Sequence, residues 1–171
     1  STTNGKLDYL SDKPIIGYYG AISDWFDMNM VEYCAKQLPD YNFVMIGATF
    51  GCDISSAEKI ENINFLGEIP YKELAGYFAY FDVCLIPFKI IPLTLATNPV
   101  KFYEYLSAGK PVVSVKLPEL IPYNEYCYLA KDKEVFCIKI DEALNEKSQS
   151  KIDDRINLAK ENSWSKRADA I

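Results

Sequence analysis

Along the chain, short stretches that are apolar throughout alternate with longer stretches of helical spacing. Residues 14–20 (PIIGYYG) predict a first strand that runs into a turn at Gly20. Residues 27–38 follow, with apolar side chains at 28, 30, 31, 34, 35 and 38, the spacing of one helix face; Pro39-Asp40 ends that helix. Residues 42–48 (NFVMIGA) predict a second strand, 49–61 a polar loop with a helical turn, and 63–66 a third strand closed by Gly67. A helix over 71–81 turns Leu74, Tyr77, Phe78 and Phe81 inward, and 82–88 (DVCLIPF) is a strand apolar on both faces. A loop over 89–97 leads to a helix over 99–108, then strands over 111–115 and 126–130 and helices over 135–145 and 152–171. Residues 1–13 are polar and read as a linker or tail, which leaves 14–171 as one domain.

Strands that are apolar on both faces and alternate with helices belong to a parallel sheet covered on both sides. Right-handed crossovers then give an α/β fold, a Rossmann-like doubly wound parallel sheet of about six strands with helices on both faces. Such sheets bind ligands beyond the carboxyl ends of their strands. That rule directs attention to the loops after Gly20, Ala48, Gly67 and Phe88, and to the start of the helix near residue 99.

Composition narrows the chemistry. The chain has 171 residues and a net charge of −6, so a nucleic-acid backbone is not the expected partner. It contains no histidine, which removes a Ser-His-Asp triad, a His-ligated zinc site and a histidine general base. Its five cysteines form no C-x-x-C and read as buried free thiols of a reducing compartment. No stretch approaches the roughly 18 apolar residues of a membrane span, and the chain opens on Ser1 as a fragment of something longer would. The pattern GYYG at 17–20 lacks the G-x-G-x-x-G spacing, and no acidic residue ends the second strand, so a nicotinamide cofactor is not expected. Asp27 reads as the N-cap of its helix rather than as a metal ligand with Asp24. Trp25-Phe26 reads either as a loop cover at the cleft or as ordinary packing, and Glu68 as a residue near a nucleobase or a solvated loop side chain.

The helix over 99–108 carries the most chemistry. Asn98 suits its N-cap and Pro99 its first position; Gly109 and Pro111 end it. Phe102, Tyr105 and Leu106 share one face, while Lys101 and Glu104, three apart, are neighbours on another. Read alone, that pair is an ion pair on a solvated face. A lysine in the first turn nevertheless opposes the helix dipole unless an anion sits there, and Glu104 one turn on suits a pair of hydroxyl donors. An anion beside a diol describes a nucleoside diphosphate.

The run NPVKFYEYLSAGKPVVS (98–114) resembles the P-x-K-x-x-E-Y-x-x-x-G-x-P-V-V stretch of bacterial GT-B glycosyltransferases of the retaining, glycogen-synthase-like group. IGYYGAISDWFD (16–27), NFLGEIPYKEL (64–74), FDVCLIPF (81–88) and NSWSKRA (162–168) resemble further units of that family in the same order. The resemblance covers the donor-binding C-terminal half of such enzymes, whose members assemble exopolysaccharide, capsule or teichuronic acid. It implies a nucleotide-sugar donor, a polysaccharide or lipid-linked acceptor, no cofactor and no metal. It also implies an acceptor-binding N-terminal domain in cis, and a cytoplasmic location or a peripheral one at the inner face of the membrane. By the same resemblance Glu104 holds the donor ribose, and Lys101 is the catalytic cation that stabilises the departing diphosphate. Gly20, Ala21, Thr97, Asn98, Pro99 and Val100 complete the donor site. The family's E-x7-E places a sugar-binding glutamate where this chain has Ala96, and Thr94, Thr97 and Asn98 are the polar residues nearby. A nucleotide-sugar epimerase of the same fold and a binding module without catalysis are the alternatives.

Overall fold

The computed structural model describes residues 5–96 and 100–162. Six strands form one wholly parallel sheet: β1 (Ile15–Tyr19), β2 (Asn42–Ile46), β3 (Ile63–Gly67), β4 (Val83–Ile86), β5 (Val112–Val115) and β6 (Tyr128–Ala130). Their order in space is β3-β2-β1-β4-β5-β6. The chain winds outward from β1 through β2 to β3, then returns to the other side of β1 to place β4. The carboxyl ends of β1 and β4 therefore flank the point where strand order reverses, which is where open α/β sheets form a crevice.

The helices are α1 (Met28–Gln37), α2 (Leu74–Phe78), α3 (Pro92–Leu95), α4 (Val100–Ser107), α5 (Lys133–Leu144) and α6 (Gln149–Glu161). Three have the expected kind of side-chain cap. Asp27 accepts from the Met30 N–H at 3.1 Å, Asp132 from Val135 at 2.9 Å and Ser148 from Lys151 at 3.3 Å. The core is the sheet itself: every residue of β2, β4 and β5 is buried. Phe102, Tyr105 and Leu106 press α4 onto it, each fully buried, and each such side chain contributes roughly 1.5–3 kcal/mol.

The pattern of the chain and the structure differ in four places. Residues 1–13, read as linker or tail, include a 3₁₀ turn at Asp8–Leu10 whose Leu7 and Leu10 join the core; Tyr80 Oη donates to Asp8 at 2.6 Å. Apolar residues separated by polar ones at no fixed period gave no sign of this. The loop expected over 89–97 contains α3, which Pro92 opens at its first turn. The expected helix over 71–81 is a 3₁₀ turn (Tyr71–Glu73) followed by the short α2. The helix expected from residue 135 starts two residues earlier, with Asp132 as its N-cap. Nearly all of the NSWSKRA segment lies outside the described residues.

Candidate functional site

At its carboxyl end β1 presents Tyr18, Tyr19 and Gly20. The turn that follows stays hydrogen-bonded to the neighbouring strand, Gly20 N–H to Ile46 O and Ile22 N–H to Ala48 O, both at 2.9 Å. Tyr18 Oη donates to Ala21 O at 2.8 Å and fixes the turn from below. Only glycine fits at two points. A Cβ on Gly47 would strike the Gly20 carbonyl, and a Cβ on Gly20 would strike the Lys101 ammonium and the Tyr18 hydroxyl. So Lys101, from the first turn of α4, lies directly on the β1 turn. The resemblance puts Gly20 and Lys101 in one donor site, and the fold sets them in contact.

The helix is held at this distance by Tyr105, whose buried phenol accepts the Tyr19 backbone N–H at 3.1 Å. Lys101 Nζ stands over the Tyr19 ring at 4.3 Å from its centroid and over the Tyr18 ring at 5.3 Å. No carboxylate of a described residue is within salt-bridge distance of it. Burial brings its ammonium down from an ordinary 10.5 to about 8, with the Glu104 charge opposing the fall. This half-buried cation rests on aromatic faces rather than on a carboxylate.

Glu104, one turn further, is met by one phenol and neighboured by a second. Tyr71 Oη donates to Glu104 Oε2 at 3.3 Å, and Tyr19 lies beside this carboxylate. The Tyr71 phenol is raised chiefly by the Glu104 charge; that of Tyr19 is raised first by burial and then by the neighbouring Glu104. Beside this group a cavity of about 710 Å³ opens at the carboxyl ends of β1, β2 and β3. Gly20, Ala21, Gly47, Phe50, Glu68 and Tyr71 are among the residues that line it; Lys101 and Glu104 are not.

Among the other expected site residues, Val100 opens α4 with its side chain 46% exposed. Thr97, Asn98 and Pro99 lie outside the described residues. Thr94, read as a nearby polar candidate for a sugar, is buried and turned to its own loop: it donates to the Lys89 carbonyl and accepts from Ile91 N–H at 3.1 Å. Phe26 is core, edge-on to Tyr18 at 4.9 Å, and Trp25 packs on Phe88, so ordinary packing accounts for both. Among the described residues no group of three or more acidic or cysteine side chains could hold a metal ion. Sequence reading missed Tyr18, Tyr19 and Tyr71. The first two were open to detection, since they end the strand that meets the crevice. Tyr71 carried no signal, because its partner is 33 residues away.

A lysine laid on a tight glycine turn, at the switch point of a doubly wound sheet, is the candidate site of this α/β domain. The sequence profile of the group 1 glycosyl transferases matches residues 13–146, and the chain belongs to that family. It is 30% identical, over 88% of its length, to the teichuronic acid biosynthesis glycosyltransferase TuaH of Bacillus subtilis (strain 168), and spans 40% of that protein. The fold is shared with Anabaena HepE solved with UDP and glucose (TM-score 0.70, 16% identity, 88% of this chain and 44% of that one). It is shared too with a UDP-forming α,α-trehalose-phosphate synthase from Burkholderia vietnamiensis (TM-score 0.70, 15% identity, 95% and 43%).

Proposed function

We propose that this domain binds the nucleotide-sugar donor of a hexosyltransferase. The observation that carries the reading is the Lys101 ammonium, laid on the Gly20 turn without a carboxylate partner among the described residues. A diphosphate at the turn meets that cation and the amino end of α4. As the bond from the sugar to the diphosphate breaks, the leaving group takes the electron pair, and a preorganised Lys101 stabilises the charge that develops. Glu104 accepts the ribose hydroxyls, and the cavity beside it takes the nucleobase, with Glu68 on its wall. No metal or cofactor has a part in this reading. The acceptor, a polysaccharide or lipid-linked sugar, is held by an N-terminal domain of the same protein at the cytoplasmic face, in keeping with the 40% of TuaH that this chain spans.

Calorimetric titration with UDP, GDP, ADP and the matching nucleosides tests the donor site. At least one diphosphate binds the wild type, and Lys101→Met weakens it about ten- to a hundredfold while changing nucleoside affinity little, since a hydrogen bond to a charged group contributes roughly 1.5–3 kcal/mol. Equal losses for diphosphate and nucleoside reduce Lys101 to a surface residue. The isolated domain binds donor without transferring sugar; transfer by residues 1–171 alone contradicts the two-domain reading.

A further inference from the structure

The cavity at the ends of β1–β3 and the polar face of α4 are two halves of one proposed site, and Tyr71 stands between them. It starts the 3₁₀ turn after β3, lines the cavity, and reaches across to α4 to donate to Glu104 at 3.3 Å. Glu104 itself does not line the cavity. A nucleotide with its base in the cavity and its diphosphate at Lys101 must pass its ribose through the place where this phenol meets this carboxylate.

The two phenols nearest Glu104 differ in their freedom to move. Tyr19 is pinned by its backbone N–H on Tyr105 and by its ring on Phe78, 4.8 Å between centroids. Tyr71 is 75% exposed, and its turn has no side-chain cap. Its ring can swing outward without opening the core, and its bond at 3.3 Å is at the long end of the useful range. Tyr19 is fixed beside Glu104, and Tyr71, which holds the hydrogen bond to it, is the one free to leave.

We propose that Tyr71 is a specificity-determining latch: its hydroxyl occupies the acceptor on Glu104 that a ribose diol takes over, so entry favours ligands able to replace it. The inference rests on the donor-site reading above. A vicinal diol brings two donors and restores the lost bond with one to spare. A ligand without those hydroxyls cannot compensate Glu104, and it binds with the latch in place or leaves the carboxylate to water.

The test is Tyr71→Phe in the whole chain, titrated calorimetrically with UDP and 2′,3′-dideoxy-UDP. Removing the latch removes a competing hydrogen bond, so UDP binds about three- to tenfold more tightly, while the dideoxy analogue is unchanged. Weaker or unchanged UDP binding, in a wild type that discriminates the two nucleotides, overturns the latch alone. A wild type that binds both nucleotides equally overturns the ribose assignment and the latch with it. A ligand-free arm reads the bond directly: ultraviolet titration of the phenols, with Tyr71 identified by its loss in Tyr71→Phe, shows the Tyr71 ionisation falling toward that of a free phenol in Glu104→Gln. An unmoved Tyr71 ionisation overturns the proposal whatever the nucleotides do.

Discussion

Lys101 and Arg155 are both cations withdrawn from water, at opposite ends of α4, and the fold treats them differently. Arg155 of α6 is 2% exposed and paired within the protein: one amino group donates to Glu146, the other to the Gly109 carbonyl at 3.1 Å just past the end of α4. Glu146 also accepts from Tyr128 Oη at 2.7 Å. Lys101 has the same parts in an open arrangement. Its carboxylate neighbour, Glu104, takes the Tyr71 phenol but forms no salt bridge with it, and its ammonium is left on aromatic faces. A cation that fastens α6 to the end of α4 is paired with a carboxylate and a carbonyl, although its Nε has no partner among the described residues. On the donor-site reading, Lys101 bears a desolvation cost that a bound anion would relieve.

The largest effect expected from this contrast is at the closed pair. Arg155→Met leaves Glu146 buried without its cation and costs about 3–5 kcal/mol, measured by chemical denaturation. The double change with Glu146→Leu recovers a large part of that loss, because no charge is then left behind. If Arg155→Met is as mild as a surface change, the pair is not the fastening that its geometry describes.

Glu104, the open counterpart of Glu146, behaves in the opposite way. Glu104→Gln keeps the shape but turns one acceptor into a donor, so UDP affinity falls about ten- to a hundredfold. Stability moves by less than about 0.5 kcal/mol, as at other surface positions. The 2′,3′-dideoxy nucleotide binds the wild type poorly and is nearly indifferent to the change. Lost stability with unchanged affinity would place Glu104 with Glu146 as a structural residue.

Gly20 is to Lys101 what the Gly109 carbonyl is to Arg155, the backbone against which the cation rests. Gly20→Ala puts a methyl group where the ammonium lies and pushes it off the turn. Diphosphate affinity drops about tenfold, close to 1.4 kcal/mol, while nucleoside affinity hardly changes. Equal affinities for the variant and the wild type would mean that Lys101 reaches phosphate from some other position.

The closed arrangement was hidden in the sequence and the open one was half visible. The sheet, its parallel sense and the apolar face of α4 were legible because a strand buried on both faces must be apolar throughout, as in VCLI of β4. Lys101 and Glu104 were legible because neighbours at i, i+3 need only a helix to meet. Arg155, Glu146 and Tyr128 come together from α6, the loop before it and β6, and each reads alone as an ordinary surface residue. The resemblance put Lys101 and Gly20 in one site, but their contact was not legible, because spacing within one element carries no information about which turn of another element faces it. Leu7 and Leu10, docked on the core from a polar segment, show the same limit for packing.

The smallest effect is also the one that separates the two cations without any ligand. Lys101 titrates at about 8 in the folded domain, against 10.5 ordinarily. Below about pH 8 both folded and unfolded chains hold the proton, and stability carries the full desolvation cost, independent of pH. Between about 8 and 10.5 the unfolded chain keeps a proton that the folded one has lost, so stability rises with pH there; above 10.5 the contribution is flat again. Tyrosines and cysteines raised by burial act in the opposite direction at high pH, the Cys127 thiol at about 12 among them. The quantity to measure is therefore the wild-type unfolding free energy minus that of Lys101→Met, in which those groups cancel. Between pH 7.5 and 9.5 it rises by on the order of 1 kcal/mol, after allowance for the partial exposure of the site. Arg155 keeps its proton throughout this range, so the same difference taken against Arg155→Met stays flat. A flat Lys101 difference would mean that water reaches its ammonium freely, and the contrast between a cation paired with a carboxylate and one without such a partner would lose its physical content.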